Sequence, residues 1–168
     1  MDDFTLHRIG EVSTGRASAD TGEATVTLDA PYRDGLKGLS AFSHVNVLFW
    51  CHQMDNPEYR GYTVFPKVYR TGPDEIGVFA TRSPVRPNPV ALTACKVSSI
   101  DEERGTLTVT GLDAEDGSPV IDVKPYLPSE DRVRDAGVPE WCGHWPSCVE
   151  ESAEFDWSNE LLIPGEST

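Results

Sequence analysis

Ser43 to His52 reads SHVNVLFWCH. In an extended chain Val45, Val47 and Phe49 share one face, and His44, Asn46, Leu48 and Trp50 share the other. Alternation built from β-branched and aromatic residues predicts a strand that covers a core with one side. TLTVTGL, Thr106 to Leu112, alternates threonine with apolar residues in the same way. Further strands are expected at Leu6–Val12, Ala24–Leu28, Tyr62–Tyr69, Ile76–Ala80, Ala91–Ser98 and Val120–Val123, separated by turns rich in Gly, Asp, Asn and Pro. Such a succession, with only short helices near Asp34–Phe42 and Glu151–Phe155, predicts a mainly β fold. It argues for an antiparallel sheet closed or nearly closed into a small barrel, and against a doubly wound sheet.

A chain of 168 residues, 38% of them hydrophobic, suits one domain with a sizeable core. The barrel is expected over residues 1–128. Residues 129–168, rich in acid, proline and tryptophan, read as an irregular extension packed on the barrel or on a partner subunit. No apolar run is long enough to span a membrane, and the start, MDDFTLHRIG, is acidic where a secretory leader would be basic and then apolar; a cytoplasmic protein is expected. Cys51, Cys95, Cys142 and Cys148 are spread through a chain too large to need staples, so they read as thiols. WCGHWPSC places Cys142, His144 and Cys148 close together, a set that zinc accepts. There is no paired CxxC, however, and the preferred reading has Trp141 and Trp145 packing the tail, with no metal.

Asp and Glu number 28 against 14 Lys and Arg, for a net charge of −14. A uniformly negative field repels nucleic acid, whose binding needs local cations. Either the partner is not a nucleic acid, or the protein works at high salt, where the screening length shrinks to about 3 Å at 1 M. The acidic, lysine-poor composition looks like that of proteins from salt-loving cells.

Three segments combine backbone constraint with polar groups. GVFATRSPVRPNP, Gly77 to Pro89, carries Pro84, Pro87 and Pro89, which exclude a helix or an inner strand and stiffen a loop that displays Arg82, Ser83, Arg86 and Asn88. FSHVNVLFWCH ends an apolar strand on His52, which either meets a ligand or caps the sheet. In GLDAEDGSPVIDVKPYLP, Gly111 to Pro128, Asp122, Lys124 and Tyr126 alternate, so an extended chain presents carboxylate, ammonium and phenol on one side. That set can hold an amide or amine and offers Asp122 as a base; the alternative is an ordinary solvated strand edge. Neither GxGxxG nor GxxxxGK[ST] is present, and no GxSxG elbow is found.

In this order LKGLSAFSHVNVLFWCH, GVFATRSPVRPNP and GLDAEDGSPVIDVKPYLP resemble the TrmO family, also called TsaA-like or YaeB-like, over about Phe4 to Pro128. The resemblance implies an S-adenosylmethionine-dependent methyltransferase on a small β-barrel, acting as a homodimer with the cofactor near the subunit interface. It also implies methylation of N6 of adenosine 37 in tRNA once that base carries a threonylcarbamoyl group. On this basis the proline-rich loop wraps the cofactor. Arg82 or Arg86 meets its carboxylate, Ser83 and Asn88 add hydrogen bonds, Phe79 forms an apolar wall, and His52 lies at the cofactor. Asp122 accepts a proton or orients the acceptor, while Lys124 and Tyr126 hold the carbamoyl or carboxylate portion. After NP the family runs Ile-Gly-Leu-Ser where this chain has Val90, Ala91, Leu92 and Thr93, a change expected to narrow the space beside the cofactor.

Overall fold

The computed structural model describes residues 5–15 and 22–162. Eight strands lie among these described residues: β1 (Gly10–Ser13), β2 (Glu23–Leu28), β3 (His44–Trp50), β4 (Val64–Pro66), β5 (Glu75–Gly77), β6 (Val90–Asp101), β7 (Thr106–Thr110) and β8 (Pro119–Pro125). Six of them close an antiparallel barrel in the order β1-β2-β7-β6-β3-β8, while β4 and β5 pair separately. The chain divides into two compact units. Among the described residues, 5–15, 22–55 and 88–132 form one; 56–87 and 133–162 form the other.

The barrel is a filled one. Val12, Val26, Val45, Val47, Leu107, Val109 and Val120 are wholly inaccessible, and Phe49 and Cys95 nearly so. These are the inward-facing positions of each strand, where alternation places them. Burial also pushes the Cys95 thiol up to about 12, so it is a packing residue and not a nucleophile.

Two bulges adjust the alternation. On β6, Val97 pairs with Val109 and Ser99 with Thr108, so Ser98 is an extra residue. On β8, Asp122 pairs with Leu48 and Val120 with Phe49, so Ile121 is extra. Each bulge bends its strand and resets which face the next side chain takes. Val120 and Val123 can therefore both pack on the core although they are three positions apart.

Two glycines close the barrel tightly. A Cβ on Gly10 would run into the Thr27 carbonyl oxygen. Gly105, in the β6–β7 turn, has φ +72° and lies under the Arg33 side chain, whose Nε is 3.4 Å from the Leu28 carbonyl oxygen.

The helix expected at Asp34–Phe42 is two 3-10 pieces, Ala30–Leu36 and Leu39–Ala41, parted by Gly38 at φ +82°. Leu36 and Leu39 are the residues they bury. The later helix begins two residues earlier than expected and is one turn long, Val149–Ser152.

In the second unit β4 and β5 pair Val64 with Gly77, Phe65 with Ile76 and Pro66 with Glu75. Residues 62–78, read from sequence as part of a continuous 1–128 barrel, instead bind the C-terminal stretch. Tyr69 bridges to Leu161, Arg70 N–H donates to the Glu160 carbonyl at 2.9 Å, and Leu162 N–H donates to that of Val68 at 2.9 Å. Tyr69 stacks on Trp141 with centroids 5.1 Å apart, and Trp145 meets Tyr69, Trp141 and Trp157 edge-on. No helix among the described residues is long and apolar enough to cross a membrane.

Candidate functional site

On the barrel, the outer face of β3 and β8 carries the polar residues. Alternation sends Val45, Val47 and Phe49 inward, so His44, Asn46, Leu48 and Trp50 face outward, with Lys124 beside Asn46 and Asp122 beside Leu48. Without the bulge at Ile121, the parity set by Val120 would turn Asp122 and Lys124 into the core. The bulge is thus what presents them.

Lys124 Nζ lies 2.6 Å from Asp122 Oδ2, and Val123 N–H donates to Asp122 Oδ1 at 2.9 Å. The Lys124–Asp122 hydrogen bond and the carboxylate's charge push the Lys124 ammonium upward, so it stays protonated throughout the physiological range. Tyr126 follows the end of β8. Its N–H donates to the His44 carbonyl at 3.0 Å and its ring meets His44 edge-on. The structure therefore joins Asp122 and Lys124 directly, and ties Tyr126 to β3 through backbone and ring.

Asn46 completes this support and was not marked by sequence as a site residue. It is buried on the outer face, where Asn46 Nδ2 donates to Asp131 Oδ1 at 2.9 Å while Leu127 N–H donates to Asp131 Oδ2 at 2.7 Å. These bonds pin the KPYLP turn to β3. An amide in the middle of an apolar strand was the available signal, since a buried amide needs a partner.

His52 begins a 3-10 turn directly after β3, with Nδ1 3.4 Å from the Oγ of buried Ser118. Next to it, Cys51 N–H donates to the Pro89 carbonyl at 2.8 Å and Val90 N–H to that of Asn88 at 2.7 Å, which fixes Asn88 and Pro89 at the entry to β6. Ala91 turns inward and packs against the core, so the family's glycine is replaced without crowding the outer face.

In the second unit, Val78–Ala80 form a 3-10 turn anchored by buried Val78 and Thr81; the Thr81 hydroxyl donates to the Val78 carbonyl at 2.9 Å. Phe79 projects from this turn and is 81% exposed. Thr81 Oγ1 accepts from Ser83 N–H at 3.3 Å and Ser83 Oγ from Val85 N–H at 3.2 Å, so the hydroxyls shape the loop. Arg82 is exposed and Arg86 half-buried. Two guanidiniums on a stiffened backbone form a donor set suited to a carboxylate.

The Cys142–Cys148 stretch is organised around a carboxylate. Glu160 is buried; its Oε1 is 2.8 Å from His144 Nε2 and its Oε2 accepts from Trp145 Nε1 at 3.0 Å. These two bonds hold the Glu160 carboxyl below the usual carboxylate range. The Cys142 thiol donates to the Pro139 carbonyl at 3.4 Å, and Cys148 is exposed. Among the described residues no group of three His, Cys, Asp or Glu is arranged to hold a metal ion.

Residues 12–132 match the family described as tRNA-methyltransferase O N-terminal domain. The chain is 44% identical over 102 residues to an S-adenosyl-L-methionine-binding protein of Archaeoglobus fulgidus, covering 61% of this chain and 68% of that one. It is 39% identical over 154 residues to the tRNA (adenine(37)-N6)-methyltransferase of Escherichia coli, covering 82% of this chain and 64% of the relative. Among solved structures it resembles TrmO from Pseudomonas aeruginosa, with a TM-score of 0.62 at 28% identity, over 83% of this chain and 62% of that one. The matched stretch contains the end of β1, all of β2 to β8 and all three motifs, and on that ground the chain belongs to the TrmO family.

Proposed function

We propose that this chain is an S-adenosylmethionine-dependent methyltransferase that methylates N6 of adenosine 37 in tRNA bearing a threonylcarbamoyl group. The observation that carries the reading is the match of residues 12–132 to the tRNA-methyltransferase O domain, with Asp122 and Lys124 set on the outer face by a bulge inside it. S-adenosylmethionine, when bound, supplies an electrophilic methyl carbon on a sulfonium. Arg82 or Arg86 meets its carboxylate, Ser83 and Asn88 add hydrogen bonds, Phe79 forms an apolar wall, and His52 lies at the cofactor.

Asp122 acts on the acceptor. The N6 nitrogen is urea-like, its lone pair delocalised, and it attacks well only as its proton leaves. Asp122 takes that proton or orients the N–H. Both its oxygens already accept one bond each, which fixes the carboxylate plane while leaving lone pairs for the substrate. Lys124, held charged, and Tyr126 grip the carbamoyl or carboxylate portion. In-line displacement then depends on positioning, with nitrogen and methyl carbon about 3 to 3.5 Å apart.

On this reading two copies assemble, with outward apolar residues such as Leu92, 43% exposed on β6, available for the contact. The setting is a cytoplasm, and a saline one. The net charge of −14 favours a second reading, in which the same cofactor methylates a small metabolite. Labelled methyl transfer to tRNA with and without the threonylcarbamoyl group separates the two. Label on the modified RNA alone is expected; label only in small molecules selects the second reading. Sedimentation of the free protein at monomer mass would remove the homodimer.

A further inference from the structure

The net charge of −14 is unevenly distributed. Residues 56–87 hold five basic side chains, Arg60, Lys67, Arg70, Arg82 and Arg86, against three acidic ones, Glu58, Asp74 and Glu75. This stretch is therefore +2, and the rest of the chain −16. Four of the five cations are exposed and Arg86 is half-buried. Arg60 closes the one-turn helix Pro57–Arg60, and its Nη1 lies 3.5 Å from the Pro87 carbonyl oxygen, which brings it to the loop that carries Arg82 and Arg86. Lys67 Nζ is 3.6 Å from Asp74 Oδ1, and at 39% and 95% exposure the two side chains form a solvated pair that a phosphate can displace.

Aromatic rings interleave with these cations. Tyr59, Tyr62 and Phe65 follow one another with centroids 6.4 and 5.6 Å apart, the second pair nearly parallel at 22°. Tyr62 is 37% exposed, so Phe65 supports one face of a ring that solvent still reaches. Cations that follow a backbone, with a supported ring between them, are the components of a single-stranded nucleic-acid surface. A strongly negative remainder adds orientation, because RNA presented to any other face is repelled.

Resting on the tRNA reading above, we infer that residues 56–87 form the surface that receives the substrate's RNA backbone, with Arg60 and Lys67 on phosphates and Tyr62 stacking on an unpaired base. Arg82 and Arg86 remain with the cofactor, and Arg70 remains beside Glu160, whose carboxylate it helps to hold charged.

The test titrates unmodified and threonylcarbamoyl-bearing tRNA into the full chain and into an Arg60→Ala/Lys67→Ala variant between about 0.1 and 1 M KCl, with S-adenosylmethionine affinity measured in parallel. Losing two contacts at about 0.7 each should flatten the slope of log K against log salt by about 1.4 and weaken low-salt binding about 10- to 100-fold. The two curves converge at high salt, and cofactor affinity is unchanged. Tyr62→Ala should weaken binding roughly 5- to 150-fold with the slope unchanged, as loss of one stacked base requires. A double variant that keeps the slope and affinity of a parent active on tRNA overturns this surface and leaves the methyltransferase reading standing. A matching fall in cofactor affinity also overturns it, by placing these side chains at the cofactor. A parent that transfers no methyl group to tRNA overturns the underlying reading itself.

Discussion

The barrel and the second unit are built on different physics. In the barrel most strand positions are set by alternation, inward residues to a valine-rich core and outward ones mostly toward solvent, and ladder pairing closes through β1 and β8. Among its described residues the second unit has one pair of three-residue strands. It relies on the rings of Tyr69, Trp141, Trp145, Phe155 and Trp157, and on a carboxylate, Glu160, whose two oxygens hold His144 and Trp145. A barrel constrained throughout can show a functional residue only by departing from the pattern, as the bulge at Ile121 does for Asp122 and Lys124. A unit held at a few rings leaves its loops free to carry proline, arginine and exposed phenylalanine.

That contrast predicts where substitutions act. The largest effect belongs to Asp122→Asn: kcat falls about 10²- to 10⁴-fold, as expected for losing a general base, while cofactor affinity and barrel stability hold. Near-normal turnover would remove Asp122 from the chemistry. Next comes the packing contrast. Leu107→Ala should cost about 2–5 kcal/mol in denaturant unfolding and raise hydrogen exchange through the barrel strands. Trp145→Ala, at a half-buried ring, should cost about 1–3 kcal/mol and raise exchange around residues 69–72 and 141–161. If both variants loosened the same amides equally, the distinction between the two units would fail.

Gly105→Ala should destabilise the barrel by about 1–2 kcal/mol, because an L side chain at φ +72° is strained and its Cβ meets the Arg33 side chain. A neutral result would mean that the turn relaxes.

The smallest effect is a pH dependence confined to the second unit. Glu160's folded pKa is depressed. Its stabilisation is therefore fully present above the unfolded glutamate value of about 4.3 and is lost as pH falls through the lower, folded value. Tryptophan fluorescence should report loosening below about pH 4, and Glu160→Gln should remove that step. An unchanged profile in Glu160→Gln would assign the acid sensitivity to other carboxylates.

Much of the barrel was legible because its strands have one buried face, so period two survives in the sequence. The strand of SHVNVLFW and that of TLTVT lie where alternation puts them. The bulges at Ser98 and Ile121 were not legible, since each is a break in parity that only the pairing partner reveals. The separation of β4 and β5 from the barrel escaped for a related reason. Their residues look like any short strand, and what claims them is a distant stretch ending at Leu161 and Leu162. Among the site residues, the nearness of Asp122 to Lys124 followed from alternation. The support from Asn46 and Asp131, 85 positions apart, did not, because nothing local in either residue names the other.

On the methyltransferase reading, this chain places a methyl group on N6 of a modified adenosine. The most direct test is mass spectrometry of the nucleosides released from threonylcarbamoyl-bearing tRNA after incubation with the protein and S-adenosylmethionine, at low and high KCl. One added methyl on N6 of the threonylcarbamoyl-adenosine at position 37 is expected, absent when Asp122→Asn replaces the parent. A methyl group on another base, or none although the cofactor binds, would contradict it.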